Sequence, residues 1–107
     1  MIDEQESTAY FTRAGENIKV RYDKDGRYIS TRKTYAANKL DRYIACLAKK
    51  YLDRDFSIYG VTEMSTEAGK VYEIILQNKY YWSVVRIAED NQGCVERVGE
   101  PEVFLNV

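Results

Sequence analysis

The stretch that most resembles a chemical motif in this chain is YDKDGRYIS, residues 22–30, whose Asp-Lys-Asp-Gly centre has the composition of a calcium loop. Such a loop needs acidic or polar ligands at its first, third and fifth positions, Gly at the sixth and Glu at the twelfth. With Gly26 at the sixth, Asp25 and Asp23 fall at the fifth and third, but Arg21 and Arg32 fall at the first and twelfth. Two cations stand where carboxylates are required, so the segment cannot hold the ion. Asp-Gly between two alternating runs is instead a hairpin signal, with Gly26 free to take a positive φ.

Little else offers reactive chemistry. There is no His, the residue most used for proton transfer at neutral pH, and no G-x-G-x-x-G or Walker loop. The two cysteines, Cys46 and Cys94, form no C-x-x-C pair, and without His a zinc site has too few ligands. Both read as free thiols: Cys46 as a small hydrophobe beside a helical stripe, Cys94 as an exposed thiol next to a turn. No catalytic, cofactor-binding or metal-binding residue is assigned. A cofactor-free hydrolase or lyase built on carboxylates, Lys and Tyr is the enzymatic alternative.

Aromatic side chains are abundant, with ten Tyr and one Trp in 107 residues. Many lie in KVYEIILQ (70–77) and YYWSVVRIAE (80–89), two strand-like runs flanking Asn78-Lys79. Taken as a two-residue loop, Asn78-Lys79 sets Ile75 opposite Trp82 and Leu76 opposite Tyr81. One face then carries Tyr72, Ile74, Leu76, Tyr81, Val85 and Ile87, and should receive a helix. The other carries Ile75, Tyr80, Trp82, Val84 and Arg86, with Glu73 and Gln77. Tyr, Trp and Arg dominate binding hot spots, so these five form the candidate surface for a protein or peptide, or for a second copy in a homodimer.

The elements that must position this surface follow from periodicity. NIKVRYD (17–23) and RYISTRKTY (27–35) alternate as strands on either side of the Asp-Gly turn, and TAYFTR (8–13) reads as a shorter strand. From Asn38 to Leu52 the period changes: Leu40, Tyr43, Ile44, Leu47, Ala48, Tyr51 and Leu52 form one helical stripe, with Asn38 as its cap. Alternation returns in FSIYGVTEM (56–64) and, after the DNQG turn, in CVERV (94–98). The expected fold is α+β, one long helix at 38–52 on one face of a curved antiparallel sheet, ordered as hairpin, helix and meander. A single domain spans 1–107, with 1–9 as a flexible segment and 99–107 as an edge or tail.

Charge is unevenly distributed. Residues 19–54 hold eleven Lys or Arg against four Asp, whereas the net charge of the whole chain is -1. Tyr28, Tyr35 and Tyr43 are interleaved in that basic stretch, so binding of nucleic acid or another anion is the alternative function. A slightly acidic chain makes nucleic acid the weaker reading. No stretch is apolar for the roughly 18 residues of a membrane span. The opening MIDEQEST is acidic and unlike a signal peptide, though a leader already removed is equally compatible.

The residues VRYDKDGRYISTRKTY, LDRYIACLAKKY, YGVTEM and KVYEIILQNKYYWSVVRI, followed by an acidic turn, together resemble the small secreted PepSY-like proteins of Bacteroidetes. These are related in fold to beta-lactamase-inhibitor-like modules. The resemblance covers about residues 10–98 and rests on strand patterning and one turn. It implies a helix on a curved antiparallel sheet, a periplasmic or secreted location, and a binding or inhibitory role without catalytic residues.

Overall fold

A computed structural model describes residues 6–50, 52 and 55–105. Eight strands form one antiparallel sheet: β1 (Ser7–Arg13), β2 (Glu16–Tyr22), β3 (Tyr28–Tyr35), β4 (Ser57–Thr66), β5 (Gly69–Gln77), β6 (Tyr81–Asp90), β7 (Val95–Arg97) and β8 (Glu102–Leu105). The first seven lie side by side in chain order, and β8 also pairs with β6. β7 meets β6 at Ile87–Glu89 while β8 meets it at Tyr81–Val84. Residues 95–105 therefore run as one edge, interrupted where Gly99 takes φ 70° ahead of Pro101.

The α+β expectation with one long helix is corrected. Strand accounts for 60% of the described residues and helix for 11%, so the fold is nearly all-β. In place of a helix over 38–52 there is a 3-10 turn at Ala37–Lys39 and an eight-residue helix α1, Arg42–Lys49. The physical reason lies at Leu40 and Asp41. Leu40 is extended (φ -78°, ψ 138°), and the Asp41 carboxylate accepts from the backbone N–H of Tyr43 and Ile44 at 3.0 and 3.3 Å. A carboxylate satisfies two of the unpaired N–H groups and interacts well with the positive end of the dipole, so the helix starts there and not at Asn38. Ile44 and Ala48, one turn apart, bury the helix's inner stripe, whereas Tyr43 is 63% exposed. Tyr51, also placed on that stripe, lies outside the described residues. Cys46 is exposed and not packed as a small hydrophobe, and both thiols are free.

The core forms where α1 covers the sheet. Ile44 and Ala48 join Tyr35, Val61, Tyr72, Ile74, Leu76, Val85 and Ile87, with Leu40 and Phe56 closing the ends. Those sheet residues alternate along their strands, as a sheet with one covered face requires. Among the described residues no helix is long and apolar enough to cross a membrane.

Turn chemistry explains the hairpins. At the Asp-Lys-Asp-Gly segment, Asp23 Oδ1 accepts from the N–H of Asp25 and Arg27, and Gly26 takes φ 82°. Asp90 repeats the arrangement, accepting from Gln92 and Cys94 ahead of Gly93 at φ 85°. These bonds hold the exposed Asp90 carboxyl below its usual range, the N–H of Cys94 contributing most. The β1–β2 connection is a two-residue turn at Ala14–Gly15, both at positive φ. Residues 7–9, assigned from sequence to a flexible segment, belong to β1.

Candidate binding face

Two strands and an unforeseen third build the face opposite α1. Four residues, not two, separate the last paired residues of β5 and β6, because the Asn78 side chain organises the connection. Asn78 Oδ1 accepts from the N–H of Tyr80 (2.9 Å) and Tyr81 (2.7 Å), and Asn78 N–H donates to the Tyr81 carbonyl. Gln77 consequently pairs with Trp82, Ile75 with Val84 and Glu73 with Arg86. The register is two residues from the expected one. A slip of two leaves every side chain on its expected face, whereas a slip of one would have exchanged them. Ser83 takes the place opposite Leu76 given to Tyr81, and Tyr81 is 43% exposed.

Four of the five sequence-chosen residues share this face: Ile75, Trp82, Val84 and Arg86 lie on β5 and β6. Tyr80 is in the loop, 58% exposed, with Lys79 Nζ 5.4 Å from its ring centroid. The expectation that Val84 stands in water is corrected, since it is buried, and Ile75 is half-buried. β8 is the reason. It sets Phe104 opposite Trp82 and Glu102 opposite Val84, adding a strand where the sequence suggested only an edge or tail.

Trp82 and Phe104 stack with ring centroids 4.3 Å apart and planes 20° from parallel. Each keeps more than a third of its surface in solvent, 36% and 39%. Beside them Arg86 is held from both sides. Nη1 donates to Glu102 at 2.7 Å, and Nε donates to Glu73 at 3.2 Å with Nη2 3.1 Å from the same oxygen. Glu102 first, then Glu73, hold the guanidinium above its usual range. Glu102 and Phe104 were missed by sequence reasoning; the one signal is the short apolar run Val103-Phe104-Leu105, which has no period-2 alternation. Pro101 before it masked that signal.

The α1 side carries a second polar cluster. Tyr35 Oη donates to Glu63 at 3.0 Å, and Lys70 Nζ lies 3.9 Å from the other Glu63 oxygen. Tyr72 Oη donates to Glu89 at 3.1 Å, at the floor of a cavity of about 360 Å³ lined by Asp41, Tyr43, Lys70 and Val95. Burial first, and then Glu63, push both phenols far above the usual tyrosine range. At neutral pH they are hydrogen-bond donors to carboxylates and not bases. Among the described residues, no three Cys, Asp or Glu side chains gather as metal ligands would.

In the basic segment Lys19 lies directly opposite Arg32 on neighbouring strands, while two other cations are paired within the chain. Arg21 pairs with Glu6 at 2.6 Å, and Lys39 lies 4.0 Å from Glu16 while donating to the Ala14 carbonyl. Glu6 and Glu16 thus lie beside basic residues of the segment. Family models, curated proteins and solved structures give no match to this chain.

Proposed function

We propose that this chain is a non-enzymatic binding module that engages a protein or peptide through the β6–β8 end of its open sheet face. The observation that carries the reading is the Trp82–Phe104 stack, each ring more than a third in water, with Tyr80 exposed in the neighbouring loop. Rigid aromatic surface bounded by charges already paired, here Arg86 between Glu73 and Glu102, is the composition of an interface core with a polar rim. Arg86 is already paired and its two carboxylates leave the rim net negative, so the partner's contribution is apolar or aromatic against the rings and cationic at the rim. The phenols of Tyr35 and Tyr72, locked as donors, support a structural and not a proton-transferring role for the opposite side. The PepSY-like resemblance extends the reading to a periplasmic or secreted setting and to inhibition as the outcome of binding.

The test is a displayed peptide library selected against the whole chain, followed by binding of the selected peptides to Trp82→Ala. Affinity should fall by about 2 kcal/mol or more, roughly 30-fold, as for hot-spot aromatics. Melting of the same variant should show a cost below the roughly 3–5 kcal/mol of a core aromatic, with the fully buried Ile74→Ala as the destabilised reference. Peptides that bind Trp82→Ala as tightly as the native chain, or selection that enriches none, would overturn the reading.

A further inference from the structure

The two edges of the sheet are built differently. One is the broken line of β7 and β8, three and four residues long, interrupted at Gly99–Pro101. Short segments and a Pro are devices that blunt an edge against pairing. The other edge, β1, has neither. Its seven residues, STAYFTR, run in unbroken register with β2 from Ser7 to Arg13, and every one is exposed, Tyr10 by 73% and Phe11 by 47%.

The Ala14–Gly15 turn decides which backbone groups of β1 remain unused. It sets Arg13 directly opposite Glu16 as the closing hydrogen-bonded pair. Alternation then commits Arg13, Phe11, Ala9 and Ser7 to β2, and turns the N–H and C=O groups of Thr8, Tyr10 and Thr12 outward.

We propose that β1 pairs antiparallel with β1 of a second copy of this chain, about a two-fold axis through Tyr10. The second copy is the occupant because the strand is complementary to itself in that register. Tyr10 meets its own copy, Thr8 meets Thr12, Ala9 meets Phe11, and Ser7 meets Arg13. The three outward-facing residues thereby form aromatic and β-branched cross-strand pairs, the kinds that stabilise a sheet. Arg13, the strand's one charge, faces a hydroxyl and not a like charge. Centring on Thr8 or Thr12 instead leaves four of the seven strand residues unpaired. Such an isologous contact closes on itself and consumes the unprotected edge of both copies. A seven-residue edge buries less than the roughly 1,200 Å² of a standard interface, so the dimer is weak and concentration-dependent.

Sedimentation equilibrium of the full chain from about 1 µM to about 1 mM, the range where weak complexes dissociate, tests this. The average mass should climb from 12.5 kDa towards twice that value. Tyr10→Pro removes an N–H that β2 does not use, so it should fold and stay monomeric throughout. If it does not fold, Tyr10→Lys serves the same end, because two cations would then meet on the axis. Trp82→Ala should associate like the native chain, which separates this contact from the binding face. Register is read with Cys46 and Cys94 both changed to Ser. In that background Tyr10→Cys, about 5.5 Å from its own copy, should form a covalent dimer with oxidised glutathione, and Thr8→Cys should not. A native chain monomeric at the highest concentration, an associating Tyr10→Pro, loss of the dimer in Trp82→Ala, or equal cross-linking at both positions would overturn the pairing.

Discussion

Ala14 is the single non-glycine residue at positive φ among the described residues, at 51°. A Cβ in that conformation costs roughly 1–2 kcal/mol, and Asn tolerates it better. Ala14→Asn should therefore raise stability by about 0.5–1 kcal/mol, read as a higher urea midpoint with unchanged slope; a lower midpoint would mean the turn is not strained. The same residue shows why this hairpin was hard to see, since Ala-Gly lacks the Asn or Asp that announces such turns, whereas Asp23 and Asp90 announce theirs. Tyr35 and Tyr72 carry a pH signature. Their folded pKa values are raised, so the stability they contribute is fully present below the unfolded value near 10 and is lost as pH climbs above it. Each buried phenol steepens that loss by about 1.4 kcal/mol per pH unit. Urea midpoints above about pH 10 should fall more steeply for the native chain than for the Tyr35→Phe, Tyr72→Phe double variant. Parallel slopes would show that the phenols ionise within the fold.

At the scale of elements, alternation was the most legible property. The faces of β5 and β6 follow directly from Tyr72, Ile74, Leu76, Val85 and Ile87 occurring at every second position. Register was not legible, because it depends on the Asn78 side chain bonding two N–H groups beyond it, and no periodicity records that. The helix was overextended for a related reason. Leu40 fits the helical stripe of Ile44 and Ala48 in spacing, yet it reaches the same core from extended backbone. β8, which completes the candidate face, has no such periodicity. Phe104→Ala should unstack Trp82 and move its fluorescence emission to the red, with a stability cost of about 0.5–1.5 kcal/mol beyond lost burial. An unchanged emission maximum would show that the indole's surroundings owe nothing to β8.

Considered as a whole molecule, the sheet has a simple path: strands one to seven are neighbours in space in the order in which they are made. Part of the chain's charge asymmetry is offset along that path, with Glu6 beside Arg21 and Glu16 beside Lys39. It is also why composition indicated one domain but not its class. The longest connection between adjacent strands, residues 36–56, carries α1 and joins a three-stranded half to a five-stranded one. The same path fixes how the molecule answers tension. β1 begins at Ser7, level with the Asp90 end of β6, whereas β8 finishes at Leu105 opposite Tyr81, at the other end of the strands. A pull on Ser7 and Leu105 therefore acts largely along the strands and loads the ladder bonds of each edge together, in shear. Single-molecule stretching between these two residues should find one distinct rupture event. A long series of small low-force steps would mean that the edge strands peel away bond by bond.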